Sequence, residues 1–478
     1  YFHKIDIHLS SIPGYVKLPF SPRLSLGTAQ TWLQGKQKDD NTGGLWRVHN
    51  DLYDLTPFID KHPGGSHWLT LTKGTDITEA FESHHIRNSA QLILEKYRVA
   101  STSNIRFSPY TFHESGFYRT LKRNVQPILS KLPSGPSLRS KLTADLLLLS
   151  SLLTATVAAA TSFYSVGIVS GILFSLTVIS AHNFFHMRDN IRMHYFNITF
   201  YSYKDWRVTH ALSHHLFPNT MLDYELFFDE KLLQWLPLKT KSLWVRFGSW
   251  LYSPVIYLLS SHVQLIAKLA QLLKTRGKSW NKEAFIPFAP LLVMYIFSGS
   301  SFTETFIMWS WILIVSSFSF VFIGLNAAHH HPEIFHDGDA PRQVHHLNTK
   351  KGLCKDFPYA TWFTVKNNST IVLLRNIFFP NRSDRDWGLG QVDAVRDRPE
   401  ISTSLFLVLV TFGDHCLHHL FPTVDHSYLH LLYPTFYETC KQFGVDYKPF
   451  SIFDLIKGQF RQLARNTPNP IPPGKAKD

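Results

Sequence analysis

The chain has 478 residues, of which 17% are charged, 26 are histidine and three are cysteine. At roughly 150 residues per domain this length predicts about three domains, and so few cysteines exclude a disulfide scaffold and a four-cysteine zinc or iron–sulfur site. The histidine excess predicts a metal bound by imidazole. The net charge of +13 is typical of a nucleic-acid-binding or a membrane protein, but no basic helix or aromatic-basic motif accompanies it, so we expect no nucleic acid partner.

Two histidine-bearing segments follow an N-terminal extension, residues 1–27, that carries no clear structural pattern. Segment 58–65 reads FIDKHPGG, and segment 76–85 reads DITEAFESHH. Haem iron can be held by axial histidines, and Gly64 and Gly65 let the backbone approach a flat ligand closely. The two segments therefore predict a slot in which histidines on separate elements face a planar group.

This stretch resembles cytochrome b5, and the matching residues are Trp46, Val48, Tyr53-Asp54-Leu55, Phe58, His62-Pro63-Gly64-Gly65 and Thr78-Glu79-Ala80-Phe81. The resemblance implies a small α+β domain over residues 28–105 that binds haem b. It also implies His62 and His85 as the axial ligands, with His84 as the competitor for the second position. A haem with two histidine ligands has no open coordination position, so we expect it to carry single electrons.

Two long apolar blocks, each without a lysine or arginine, occupy residues 142–181 and 285–328. One membrane span needs about 20 apolar residues, so each block predicts two helices, with turns near 160–165 and near 298–305. The alternative, two buried hairpins in a soluble protein, is disfavoured because two such runs occur in one chain. The sequence therefore predicts four transmembrane helices.

The predicted turns carry no cation, so two hairpins would leave every lysine and arginine on one side of the membrane, the cytosolic side by the positive-inside rule. A further apolar stretch, 250–273, contains polar residues and predicts an interfacial or partly buried helix. Residues 106–141 are interpreted as a linker, 142–460 as the membrane domain and 461–478 as a Pro-rich tail.

Four histidine groups lie close to the ends of the predicted spans or between them. Residues three or four apart share one face of a helix, which predicts that His182 and His186 bind one metal, and that His210 and His214 do the same with His215 turned toward a second metal. Nine clustered histidines are too many for one zinc ion, and the neighbouring haem segment favours iron. The full set is His182, His186, His210, His214, His215, His330, His415, His418 and His419, with Asn326 one helical turn before His330.

These boxes resemble the membrane fatty acid desaturase and hydroxylase family, whose signature is H-x(3–4)-H, H-x(2–3)-H-H and (H/Q)-x(2)-H-H. The resemblance implies an all-α membrane domain with four transmembrane helices and a cytosolic cap that holds two nonhaem irons. It implies O2-dependent oxidation of a lipid acyl chain, presented as acyl-CoA or acyl-lipid in the endoplasmic reticulum membrane. NADH-cytochrome b5 reductase is then the expected electron donor, and His330 the ninth ligand, with Asn326 acting through water or a second layer.

The order of the two domains resembles front-end desaturases and, more closely, a group of insect proteins with the same organisation. Front-end desaturases carry Gln where this chain has His415, and their second box is shorter than the one that starts at His210, so their regiochemistry does not transfer. Two alternatives stay open: an acyl-chain hydroxylase on the same scaffold, and a membrane-tethered haem electron carrier without desaturase activity.

Overall fold

The structure, a computed structural model, describes residues 28–87, 89–227, 232–276, 282–342 and 385–473. The predicted extension, residues 1–27, lies outside these ranges. The described chain forms a small domain with a three-stranded sheet and then an all-α region. This confirms the predicted order of a small α+β domain followed by a helical membrane domain.

The small domain is built around an antiparallel sheet with the order β1-β2-β3, formed by Trp46–Val48, Asp51–Tyr53 and Arg98–Ser101. Its core contains Trp46, Val48, Tyr53, Leu55 and Leu69. Short 3-10 turns cover 56–61 and 95–97. The helices are α1 Ala29–Asp40, α2 Ser66–Thr72, α3 Thr78–His84 and α4 Ser89–Leu94.

The following region contains the long apolar helices. Helix α6 ends one residue before an αL residue, Ser162, and α7 begins two residues later. Helix α10 ends at Ser298 and is capped by Gly299, which has φ +74, and Ser301 and Glu304 form a capping box at the start of α11. Both predicted turns are therefore confirmed. The helices are α5 Phe117–Leu129, α6 Leu138–Thr161, α7 Tyr164–Phe185, α8 Tyr203–Trp206, α9 Ser249–Lys274, α10 Ala289–Ser298 and α11 Phe302–Leu325.

Within the described residues, four helical segments are long and apolar enough to cross a membrane: 138–161, 164–185, 244–274 and 302–325. The predicted number is confirmed, but one member differs. Helix α10, in the predicted third span, has only 10 residues, or about 15 Å at 1.5 Å per residue, because a 3-10 segment takes up the residues before it. The fourth segment that is long and apolar enough to cross a membrane is instead 244–274, which contains helix α9.

Helix α9 and the segment beyond it make contacts with the cap, with α11 and with the chain that follows α7. Near its start, the Trp250 indole donates to the Phe460 carbonyl at 3.0 Å. Beyond its end, Glu283 pairs with Lys204 at 2.9 Å, in the segment that follows α7. Between these contacts, the Ser261 amide donates to the Ser317 hydroxyl of α11 at 3.0 Å. Helix α9 therefore contacts the cap near its start and α11 in its middle, and its role as an interfacial helix or a span stays a prediction.

Shorter elements form a cap over the histidine-bearing ends of α7 and α11. A two-residue parallel pair joins β4 Tyr110–Thr111 to β5 Arg385–Asp386. The remaining helices are α12 Trp387–Ala394, α13 Pro399–Ser402, α14 Leu405–Val410, α15 His415–Leu420, α16 His426–Leu429, α17 Tyr433–Gln442 and α18 Ile452–Ala464. Helix α18 runs past the predicted boundary at residue 460.

The segment interpreted as a linker is an integral part of this cap. Helix α5 buries Phe117, Leu121 and Val125, which are spaced four residues apart and therefore lie on one face. These side chains join the main core of the cap. Apolar periodicity in 106–141, rather than its position between two domains, decides its structure.

Candidate haem site and metal centre

The first candidate site lies in the small domain, where the rings of His62 and His85 face each other with centroids 6.1 Å apart. The Phe81 ring packs at 4.8 Å from His85 and the Phe58 ring at 6.0 Å from His62. Two imidazoles that bind opposite sides of one ion through nitrogens about 2 Å away have their ring centroids roughly 6 Å apart. The spacing of His62 and His85 therefore fits an ion held between them.

Backbone carbonyls fix the orientation of both rings. His62 Nδ1 lies 2.9 Å from the Gly65 carbonyl, and His85 Nδ1 lies 3.0 Å from the Phe81 carbonyl. A carbonyl only accepts, so each Nδ1 carries the proton and each Nε2 keeps a lone pair for a metal. A Cβ added at Gly64 would lie 2.9 Å from His62 Cε1, which explains why this position requires glycine. These residues fit a haem with two histidine ligands.

His84, the competing ligand, is placed differently. Its ring packs on Trp68 at 5.7 Å, and its Nδ1 lies 2.9 Å from the Ala80 carbonyl. Burial lowers the pKa of His85 to about 4, so the ring that faces His62 is neutral and able to bind a metal near pH 7. The geometry favours His85 as the partner of His62.

The second candidate site is a cluster of nine buried histidines at the junction of the cap and the apolar helices. None of the nine exposes more than 5% of its surface, so the cluster excludes bulk water. Within the described residues, the donor atoms of these nine histidines fall into two larger groups, each within 4.8 Å, and a third group of His210, His214 and Glu225 overlaps both. Metal group 1 comprises His182, His186, His210, His215 and His418, and metal group 2 comprises His214, His329, His415 and His419.

The spacing of the donor nitrogens matches a first coordination shell. In metal group 1, His182 Nε2 lies 2.8 Å from His210 Nε2 and 3.0 Å from His186 Nε2. In metal group 2, His329 Nε2 lies 2.7 Å from His415 Nε2 and 3.0 Å from His214 Nε2. Ligands about 2.1 Å from one ion stand about 3 Å apart, and imidazole suits iron, zinc and copper. Both groups therefore fit a transition-metal ion.

The second histidine box differs from the predicted arrangement. Residues 207–214 form a π-helix, in which the His215 amide donates to the His210 carbonyl, five residues earlier, at 2.8 Å. This wider turn brings His210 and His215 to one face. His214 lies in metal group 2, so the structure separates it from His210 and His215, although His210 and His214 also lie within 4.8 Å of each other and of Glu225.

The structure also corrects the ninth histidine. His329 lies in metal group 2, whereas His330 stacks on Trp235 with ring centroids 3.7 Å apart and belongs to neither group. Helix α11 ends at Leu325, and Ala328 has φ +105, so the helical spacing assumed between residues 326 and 330 does not hold. Asn326 is likewise outside both groups, and its side-chain amide donates to the Phe322 carbonyl at 2.8 Å.

Several of these rings contact, through the nitrogen that points away from the cluster, side chains that were not predicted from the sequence. Asp223 lies 2.9 Å from His214 Nδ1, and Glu225 lies 2.7 Å from His210 Nδ1. Burial by itself would lower the pKa of His214, but the two nearby carboxylates outweigh it and raise the pKa to about 9. On the other side, the Gln391 side chain lies 3.1 Å from His419 Nδ1. The acidic pair soon after the second box, in the run DYE, was the available signal.

The small domain packs directly on this centre through Arg207, whose side chain is fully buried. Arg207 Nε donates to the Phe185 carbonyl at 2.9 Å, and its guanidinium lies 4.6 Å from the Trp68 ring. It also pairs with Asp189 at 2.7 Å. Because Phe185 precedes His186, this one side chain connects the haem-site domain to metal group 1.

Two further contacts fix the small domain in place. The Trp32 indole of α1 donates to the Leu222 carbonyl of the cap at 3.1 Å. The Tyr118 hydroxyl lies 3.2 Å from the Glu82 carbonyl and 3.1 Å from the Leu420 carbonyl, one residue after the third box. The two candidate sites are therefore parts of one packed body.

Comparison with known proteins agrees with this division. A model of the fatty acid desaturase family matches residues 159–451, and a model of the cytochrome b5-like haem/steroid binding domain matches residues 31–103. The chain is 38% identical over 465 residues to the cytochrome b5-related protein of Drosophila melanogaster, which covers 96% of this chain and 97% of that protein. It is 23% identical over 441 residues to the Delta(5) fatty acid desaturase A of Dictyostelium discoideum, covering 86% and 88%. No solved structure matches.

Proposed function

Because the chain belongs to the fatty acid desaturase family and carries a cytochrome b5-like domain at its N-terminus, we propose that it is a membrane lipid oxidoreductase that desaturates a fatty acyl chain with O2. Electrons reach its nonhaem metal centre from the fused haem domain. One observation carries the proposal: nine buried histidines form two metal-sized groups against a domain with a facing histidine pair.

The residues present fit both expected groups. His62 and His85 would hold a haem b, which would supply one-electron transfer when bound. Metal groups 1 and 2 would hold two iron ions, which supply the oxidising power that removes hydrogen from an unactivated C–H bond with O2 as co-substrate. The remaining roles belong to the side chains of this protein.

Those side chains orient the ligands and keep water out. Asp223 and Glu225 fix the Nδ1 protons of His214 and His210, so that the Nε2 atoms point into the cluster. The Phe412 and Phe185 rings lie 4.9 and 5.1 Å from the His182 ring and present an apolar surface beside the donors. Such surroundings exclude water from an oxidation and favour an acyl chain as the substrate.

The substrate is an acyl-CoA or acyl-lipid that reaches the cluster from the endoplasmic reticulum membrane. The haem and histidine-cluster domains face the cytosol, because the apolar blocks contain no cation at their turns. NADH-cytochrome b5 reductase supplies the electrons.

Lipid analysis tests this proposal. The full chain is expressed in cells, and their fatty acids are compared by mass spectrometry with those of cells that express His418→Ala or the control His430→Ala. His418 is fully buried in metal group 1, whereas His430 is exposed and lies in neither group. We expect a new double bond with the wild type and with His430→Ala, and none with His418→Ala. A new hydroxyl group instead would identify a hydroxylase, and the absence of any new product in all three would contradict the proposal.

A further inference from the structure

His84 and His186 each have a buried ring nitrogen that lacks a partner. His84 Nε2 and His186 Nδ1 are both inaccessible to solvent and make no hydrogen bond within the described residues. A buried polar atom without a partner costs about 1–3 kcal/mol, so such atoms in a native protein require an explanation.

The two nitrogens are chemically complementary. His186 Nε2 points into metal group 1, at 3.0 Å from His182 Nε2, so in the neutral ring that binds a metal the proton lies on Nδ1. His84 Nδ1 donates to the Ala80 carbonyl at 2.9 Å, so its Nε2 carries only a lone pair. One atom is a donor without an acceptor, and the other is an acceptor without a donor.

The two rings also belong to facing surfaces of the domain contact. The His84 ring packs on Trp68, which packs on the Arg207 guanidinium. Arg207 in turn donates to the carbonyl of Phe185, whose ring stacks on His186 with centroids 4.9 Å apart. From the other side, the Thr423 hydroxyl donates to the His84 carbonyl at 3.3 Å.

Electrostatics indicates the same proximity. Burial lowers the pKa of His186 well below its ordinary value, and the nearby rings of His210 and His84 lower it further. His84 therefore lies within electrostatic range of the histidine cluster while its neighbour in sequence, His85, faces His62.

We propose that His84 Nε2 accepts a hydrogen bond from His186 Nδ1 through one buried water, and so positions a ligand of metal group 1. This inference rests on the proposed function, because it requires His186 to bind a metal. Ligating histidines usually donate their second ring proton to a fixed acceptor, and a bridging water is nearly as effective as a direct bond. His84 is then a positioning residue that links the haem ligand His85 to a metal ligand by one hydrogen-bonded contact.

Two substitutions at one position separate the acceptor from the shape of the side chain. His84→Leu removes the acceptor, whereas His84→Gln keeps an oxygen that accepts. His67→Leu serves as the control, since His67 lies in the same contact, with its Nδ1 3.2 Å from Arg207 Nη1. Purified full-length proteins in lipid nanodiscs, stripped of nonhaem metal, are titrated with Co2+ and followed by its visible absorption bands. The haem spectrum of each sample reports whether the small domain is folded and whether its axial ligands are intact.

We expect His84→Leu to weaken Co2+ binding to metal group 1 about 10–100-fold, the usual effect of losing such an acceptor, with an unchanged haem spectrum. His84→Gln and His67→Leu should bind Co2+ much as the wild type does. Unweakened binding by His84→Leu, equal weakening in both His84 variants, or loss of the haem spectrum in His84→Leu would overturn the inference. If the wild type itself binds no Co2+, the proposed function fails with it, whereas unweakened His84→Leu beside a wild type that makes product overturns the inference alone.

Discussion

The haem site and the histidine cluster orient their imidazoles by different means. His62 and His85 come from one short region, and main-chain carbonyls hold their Nδ1 protons. The cluster gathers residues from 182 to 419, and side chains such as Asp223 and Glu225 hold several of its rings. A main-chain carbonyl is neutral, whereas a carboxylate adds charge to its ring and makes it a stronger donor. The main chain thus fixes the rings of the proposed haem site, whereas side chains adjust several rings of the proposed metal centre.

The largest expected effect separates the two sites completely. His62→Ala removes one axial donor, so we expect loss of the low-spin haem spectrum and of product formation driven by NADH. Metal groups 1 and 2 contain no residue of the small domain, and the bound nonhaem iron should therefore remain. Visible spectroscopy and iron analysis of the purified variant measure both quantities. Loss of nonhaem iron together with haem would show that the two sites are not separable.

A matched pair of variants then tests the composition of the cluster. His329 lies in metal group 2, and the adjacent His330 stacks on Trp235. We expect His329→Ala to reduce the nonhaem iron from about two per haem to about one and to abolish product, and His330→Ala to keep both irons. Iron loss confined to His330→Ala would restore the ligand that the sequence spacing predicts.

A smaller effect on metal affinity tests whether a side-chain carboxylate supports a ring of the histidine cluster. Asp223 is fully buried and supports His214, so Asp223→Asn removes a charge while it keeps the shape. Loss of such support typically costs 10–100-fold in metal affinity, and a Co2+ titration measures the change. The haem spectrum serves as the internal control. An affinity equal to that of the wild type would show that the carboxylate has no part in binding.

The smallest expected effect concerns the contact of Trp32 in α1 with the cap, which helps to hold the small domain against the histidine cluster. Trp32→Phe removes the hydrogen bond to the Leu222 carbonyl, which still accepts from the Ser213 hydroxyl at 2.7 Å. We expect the free energy needed to open α1 to fall by about 1 kcal/mol, which corresponds to about fivefold faster hydrogen exchange of the α1 amides. Trp244→Phe, at a tryptophan that is 64% exposed, is the control and should leave α1 unchanged. Equal exchange in all three proteins would mean that α1 does not hold the domains together.

The same contrast explains what could be predicted from the sequence. Both candidate haem ligands lie in short motifs whose geometry is local, so the resemblance of these motifs to cytochrome b5 sufficed to propose His62 and His85. The four histidine groups and the two hairpin turns were likewise readable from spacing and from the distribution of charge. The fatty acid desaturase family and the N-terminal cytochrome b5-like domain, both inferred from these motifs, are confirmed by the comparisons.

The errors arise where the backbone leaves the regular α-helix. The π-helix at 207–214 places His215 rather than His214 in metal group 1, and the backbone at Ala328, with φ +105, is followed by His329 rather than His330 in metal group 2. Spacing rules assume regular turns, so sequence alone could not reveal either change. The supporting carboxylates were missed because their role depends on distances across the fold.

The central claim is that one chain couples a haem with two histidine ligands to a centre of two nonhaem irons. Counting nonhaem iron against haem in the purified full-length protein tests it most directly. The account predicts about two nonhaem irons per haem, with the haem low-spin. A ratio near zero with the haem intact would contradict it and would identify the chain as a haem electron carrier without an oxidising centre.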